Sequence, residues 1–141
     1  MGYKDTVKGT YTGNVQFAVG YHEGDKFYNL NNEEVTIDDI TTCVCLTLKI
    51  QAQKCDLIWG VYEFYNPLES KMEVDEFHGV RISDHVWQLR DGSEVITLTF
   101  SDCGKKVCFK LNHGDSTTQT ARSGFFEQVA GCLKKNKCDC C

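Results

Sequence analysis

A chain of 141 residues with 41% hydrophobic and 25% charged side chains is long enough to bury one core without a disulfide or metal staple. Its single proline, Pro67, argues against a linker or a disordered tail. A net charge of −5 with a pI near 5.3 argues against nucleic acid as a partner, because binders of that kind draw most of their nonspecific affinity from basic side chains on phosphate.

Val7, Tyr11, Val15, Phe17, Val19 and Tyr21 occupy odd positions, while Lys8, Thr10, Thr12 and Gln16 fall on even ones. That alternation predicts a half-buried strand. Gly13 marks a bend in it, Glu23-Gly24-Asp25 reads as a turn, and residues 26–30 return as a short strand. An acidic connection follows, with a second short strand expected at Val35-Thr36-Ile37. Between residues 42 and 51 the parity is even, with Val44, Leu46, Leu48 and Ile50 on one side and Cys43, Cys45, Thr47 and Lys49 on the other. Lys54-Cys55-Asp56 turns the chain into residues 57–65, where Ile58, Trp59, Val61, Tyr62 and Phe64 are apolar on both faces. Such a strand is expected in a central position or beneath a helix, and Asn66-Pro67 ends it.

Residues 68–76 read as a charged, irregular segment, with Glu73, Asp75 and Glu76 forming a solvated run. Two short strands are expected at 77–82 and 85–89, and Asp91-Gly92 supplies a hairpin turn. Ile96, Leu98 and Phe100 share one face of the next strand, and Val107, Phe109 and Leu111 share one face of the last, with a turn at 102–106 between them. Beyond residue 118 the period changes. Ala121, Phe125, Val129, Cys132 and Leu133 recur every three to four residues, predicting an amphipathic helix. Ser116 and Gln119 are spaced as its capping box, and Lys134, Lys135 and Lys137 suit its C-terminal end. The fold class expected is mainly β: a single antiparallel sandwich or barrel of about seven strands with one C-terminal helix. Residues 1–133 form this domain, and 134–141 a basic, cysteine-rich tail.

Residues 94–100 and 106–111, with Phe125-Phe126-Glu127-Gln128-Val129 and Cys132-Leu133, make the end of the chain resemble the pleckstrin-homology-like superfold, in which a bent sandwich is plugged by one helix. The resemblance implies a binding module with no shared catalytic site. A shorter stretch is similar to the CS domain of small co-chaperones: His78-Gly79-Val80, Trp87-Gln88-Leu89 and Asp91-Gly92 before Val95-Ile96-Thr97-Leu98.

The charges are unevenly divided. Residues 1–100 hold 8 Lys or Arg against 16 Asp or Glu, and residues 101–141 hold 7 against 4, so an anionic membrane surface would be met by the C-terminal part. Gly2 with Thr6 satisfies the N-myristoylation pattern. Lys134, Lys135 and Lys137 directly precede Cys138, Cys140 and Cys141. That ending admits four readings: lipid anchoring beside a polybasic patch, disulfide formation, a soft-metal thiolate site, for which the spacing lacks a closed ligand set, or an unmodified flexible tail. Cys132 is expected in the core, Cys43, Cys45 and Cys108 opposite the apolar parity of their strands, and Cys55 and Cys103 at turns.

No acid, base and nucleophile can be placed together among His22, His78, His85, His113 and the cysteines, and Trp59, Tyr62, Phe64 and Trp87 read as core rather than as a stacking platform. The functional expectation is a non-enzymatic adaptor for a protein or peptide partner, with no cofactor and no metal. The absence of a ~20-residue apolar run or an apolar leader points to the cytoplasm, and the charge asymmetry with the lysines before the terminal cysteines to a peripheral membrane association. The alternatives are a secreted, disulfide-stabilised β-sandwich with an extracellular partner, and a CS-like co-chaperone.

Overall fold

The alternating residues at the start of the chain form strand β1 (Gly9–Glu23), whose odd positions from Tyr11 to Tyr21 are buried. A tight turn at Gly24, whose φ of +62° suits glycine, leads to β2 (Lys26–Tyr28) and β3 (Glu34–Val35). A 3-10 turn (Ile37–Ile40) follows where a strand was expected, with Thr36 and Asp39 capping it reciprocally. The computed structural model describes residues 6–66, 70–92, 94–114 and 124–135. The remaining strands are β4 (Thr41–Lys54), β5 (Leu57–Asn66), β6 (Lys71–Ser83), β7 (Val86–Asp91), β8 (Glu94–Ser101), β9 (Lys106–His113) and β10 (Phe125–Lys135).

From β4 onward each strand pairs antiparallel with the next, and β1 lies beside both β4 and β10. The last pairing, from Tyr11 opposite Lys135 to Tyr21 opposite Phe125, closes an eight-stranded barrel, with β2 and β3 added beyond β1. Closure removes the exposed edges that an open meander would leave. The even residues Val44 to Ile50, the odd residues Val107 to Leu111, and Ile96, Leu98 and Phe100 all point inward and are buried.

Two glycines allow the close approach this requires. A Cβ on Gly60 would lie 2.0 Å from the Lys49 carbonyl oxygen, beside the register shift between Ile50 and Ala52; one on Gly131 would lie 2.5 Å from the carbonyl oxygen of Asn14 across the closing seam.

Further expectations are corrected. No α-helix occurs among the described residues, so the C-terminal helix, and with it the helical part of the pleckstrin-homology-like resemblance, is replaced by β10. Phe125 and Val129, four apart, satisfy a helical stripe and a strand face equally. Glu127, Gly131 and Leu133 continue the inward parity, and pairing with both β9 and β1 satisfies the backbone on each side. Ala121, Ser116 and Gln119 lie outside the described residues. Residues 71–76 are the first half of a long strand, not an irregular segment. The outer face of β5 is not central or covered: Leu57, Trp59 and Tyr65 are exposed there.

Cys43, Cys45 and Cys108 do lie opposite the apolar parity, and Cys55 and Cys103 are free and exposed near turns. Cys132, expected in the core, instead points outward and is bonded to Cys108, its cross-strand neighbour. Cys43 and Cys45 are also disulfide-bonded.

Candidate functional site

The barrel's two ends differ because the inward side of its strands changes character along their length. At the end where β1 begins, Val7, Tyr11, Trp87, Phe100, Val107 and Leu133 are buried. Tyr11 and Phe100 pack edge to face at 5.7 Å. The Tyr11 hydroxyl donates toward the carbonyls of Val7 (2.8 Å) and Gly104 (3.1 Å), tying the start of β1 to the β8–β9 turn. Burial pushes the Tyr11 hydroxyl pKa up to about 12. This end is a packed plug.

At the other end the same inward positions become polar. On β6 the parity of Phe77 continues to Asp75 and Glu73; on β7 that of Trp87 and Leu89 continues to Asp91. Glu94 precedes Ile96 on β8, and Glu127 precedes Val129 on β10. These carboxylates surround a cavity of about 450 Å³ whose inner wall is formed by Val15, Phe17, Val44, Leu46, Phe64, Phe109 and Val129. Tyr62 joins wall to rim. Its ring packs edge to face on Phe109 at 5.3 Å and is stacked with Phe64 at 6.4 Å, while its hydroxyl donates to Asp91 Oδ2. Burial, and then that carboxylate, hold the Tyr62 hydroxyl protonated far above the usual phenol range. The Asn66 amide donates to Glu73 Oε2 at 3.2 Å. Beside this mouth, a second hollow lined by Asn29, Leu30 and Ile40 shares Phe17, Asn66 and Glu127 with the first, so the β2–β3 excursion flanks the entrance.

Crowding carboxylates at a half-buried rim disfavours their ionisation. Glu94 is raised from 4.5 to about 7, first by desolvation and then by the neighbouring Glu127 carboxylate and the hydrogen bond between them. Burial also raises Glu127 and Asp75, the latter helped by Asp91 and Glu73. A folded-state pKa above the unfolded one means that the native chain holds the proton more tightly. The contribution to stability is therefore fully present below the unfolded value of 4.5 and lost as the pH rises through about 7. After discounting for solvent access, Glu94 should cost on the order of 1–2 kcal/mol at pH 8 relative to pH 4. Urea unfolding of the wild type and Glu94→Gln at several pH values checks this. The variant should gain stability at pH 8 and show a flatter decline across pH 5–8; parallel curves for the two proteins would show that Glu94 is not perturbed.

Of the residues named from sequence as candidate sites, the two that are described, Lys134 and Lys135, do not line this cavity. Lys134 and Lys135 end β10 near the plug, where Lys135 Nζ stands 5.8 Å from the centre of the Tyr11 ring. Gly2, Lys137, Cys138, Cys140 and Cys141 lie outside the described residues. Of the aromatics weighed as stacking residues, Tyr62 and Phe64 line the cavity, Trp87 is in the plug and Trp59 is exposed. The rim was missed because Glu73, Asp75 and Glu76 read as one charge run. The signal was parity: Glu73 and Asp75 are in phase with Phe77, while Glu76 is not, and only the first two line the cavity.

The fold and cavity together define a closed antiparallel barrel with one plugged end and one hollow, acidic end. No protein-family model matches the chain, and no curated protein matches it.

Proposed function

We propose that this protein is a non-enzymatic binding module that holds a small ligand in the acidic end of its barrel. The observation that carries the reading is the 450 Å³ cavity itself. It falls within the range of ligand pockets and combines apolar walls with a few convergent polar groups. Eight strands enclose an interior that side chains can just fill or that can hold one small ligand, and here the filling stops short of one end. Disulfides at Cys108–Cys132 and at Cys43 and Cys45 support a place in an oxidising compartment, in keeping with a secreted binder.

A titration of isotope-labelled protein with a library of small aromatic and aliphatic compounds, followed by amide chemical shifts, tests the site. Binding compounds should shift Leu46, Phe64, Phe109 and Val129 together. A library that leaves those amides still, or shifts only the outer face of the barrel, would overturn the reading.

The exposed side of the β5–β6 hairpin favours a second reading, a protein partner. Leu57 pairs with Val80 and Trp59 with His78, and Leu57, Trp59, Val80 and Ile82 are all exposed large hydrophobic residues, a surface of the type that marks interaction sites. Trp59→Ala should weaken such an association without changing the thermal midpoint.

A further inference from the structure

The charge of the cavity selects among ligands. Its described lining includes Glu73, Asp75, Asp91, Glu94 and Glu127, and no Lys or Arg. Below them the wall is aromatic on several sides, with Phe17 and Phe64 at 5.7 Å and Tyr62 against both Phe64 and Phe109. An anion would meet this rim with repulsion. A neutral apolar ligand would leave several carboxylates confined with no Lys or Arg among the described lining to balance them, an arrangement that costs free energy whether the groups stay charged or take up protons. A metal ion needs several ligands converging on one point, and no such grouping of His, Cys, Asp or Glu exists among the described residues. The carboxylates are spread around a rim above an apolar well, so the matching ligand carries a diffuse or multiply hydrogen-bonding cation on an apolar body.

Resting on the cavity as the ligand site, we propose that the ligand is an organic amine bound as its ammonium ion, with the charged head among Asp75, Asp91, Glu94 and Glu127 and an aromatic or aliphatic body in the well formed by Phe17, Leu46, Phe64 and Phe109. The ammonium supplies a counter-charge that no described lining residue provides, and the aromatic faces add cation–π attraction to the part of the cation that leaves water. Tyr62, by donating to Asp91, holds that carboxylate at the junction of rim and well.

Three probes of matched shape test the charge: 2-phenylethylamine, 2-phenylethanol and 3-phenylpropanoate, titrated at pH 8 with amide chemical shifts and calorimetry as readouts. The amine should bind at least about tenfold more tightly than the alcohol, and the acid should not bind. The amine should also lose affinity at pH 5, where Asp75 of β6, Glu94 of β8 and Glu127 of β10, all raised by burial, shift toward protonation; the other groups around the head are Glu73 of β6, Asp91 of β7, His113 of β9 and Tyr62 of β5, whose hydroxyl stays neutral. Glu94→Gln with Glu127→Gln should lower amine affinity about tenfold and leave alcohol affinity unchanged; should that variant not fold, the wild-type series decides alone. An alcohol or acid bound as tightly as the amine would overturn the cationic inference while leaving the cavity reading intact. Calcium alone shifting the same amides at micromolar concentration would overturn it in favour of a metal site. If no probe moves the cavity amides, both fall together.

Discussion

Trp87→Ala should lower the unfolding free energy by about 3–5 kcal/mol, the range for truncating a large buried aromatic. Trp87 is 2% exposed and stands in the plug with Tyr11, Phe100 and Val107. Arg81 lies over its ring at 5.8 Å, with its guanidinium held by Asp56 Oδ1 at 2.7 and 2.9 Å. Removing the indole empties the end of the barrel where β1 is tied to the β8–β9 turn, and neighbouring backbones locked in a closed sheet have little freedom to collapse into the space. Against the ~5–15 kcal/mol available to an ordinary domain, such a loss brings the chain near its limit. Equilibrium urea unfolding measures it. The acidic cavity lies at the other end, so a Trp87→Phe variant, which keeps most of the volume, should retain the cavity's amide shifts with any probe that binds. A loss below about 1 kcal/mol for Trp87→Ala would mean that the plug is loosely packed, and would remove the distinction between the two ends.

Replacing Cys108 and Cys132 together by Ser should cost about 3 kcal/mol. The bond joins residues 24 apart in sequence on neighbouring strands, and closing a loop of this length removes that order of chain entropy from the unfolded state. Both cysteines lie on the outer side of β9 and β10, so their loss opens no core cavity and the effect is carried by the cross-link. Thermal unfolding should show the midpoint falling by roughly 10 °C, and a reductant should lower the wild type by more than the variant, in which the disulfides at Cys43 and Cys45 remain to respond. Identical midpoints with and without reductant, in a protein whose mass shows the bond intact beforehand, would mean that the link constrains little.

The sequence alone carried the predominance of strands and most of the barrel's core, while it misread the C-terminal strand as a helix. Tyr11 to Tyr21, Val44 to Ile50, Ile96 to Phe100 and Val107 to Leu111 alternate so regularly that only one face of each can be buried, because a strand's side chains alternate with a period of two. The same pattern placed Cys43, Cys45 and Cys108 outside. It failed at the C-terminus, where the four-residue spacing of Phe125 and Val129 belongs to both periods. The residue between them that decides the matter, Glu127, is an inward-facing acid that hydrophobic patterning counts as outward.

What the tertiary structure alone decided was closure and its consequence. β10 is a strand because it completes two ladders at once, one of them with β1 more than a hundred positions earlier, and no local preference reports on so distant a partner. Closure then turns one face of every strand into an interior, whether the residues on it are apolar or not. Glu73, Asp75, Asp91, Glu94 and Glu127 are separated along the chain and unremarkable in it. They become one acidic rim only when the five neighbouring strands β6 to β10 bring their ends together around a space that the aromatic side chains do not fill.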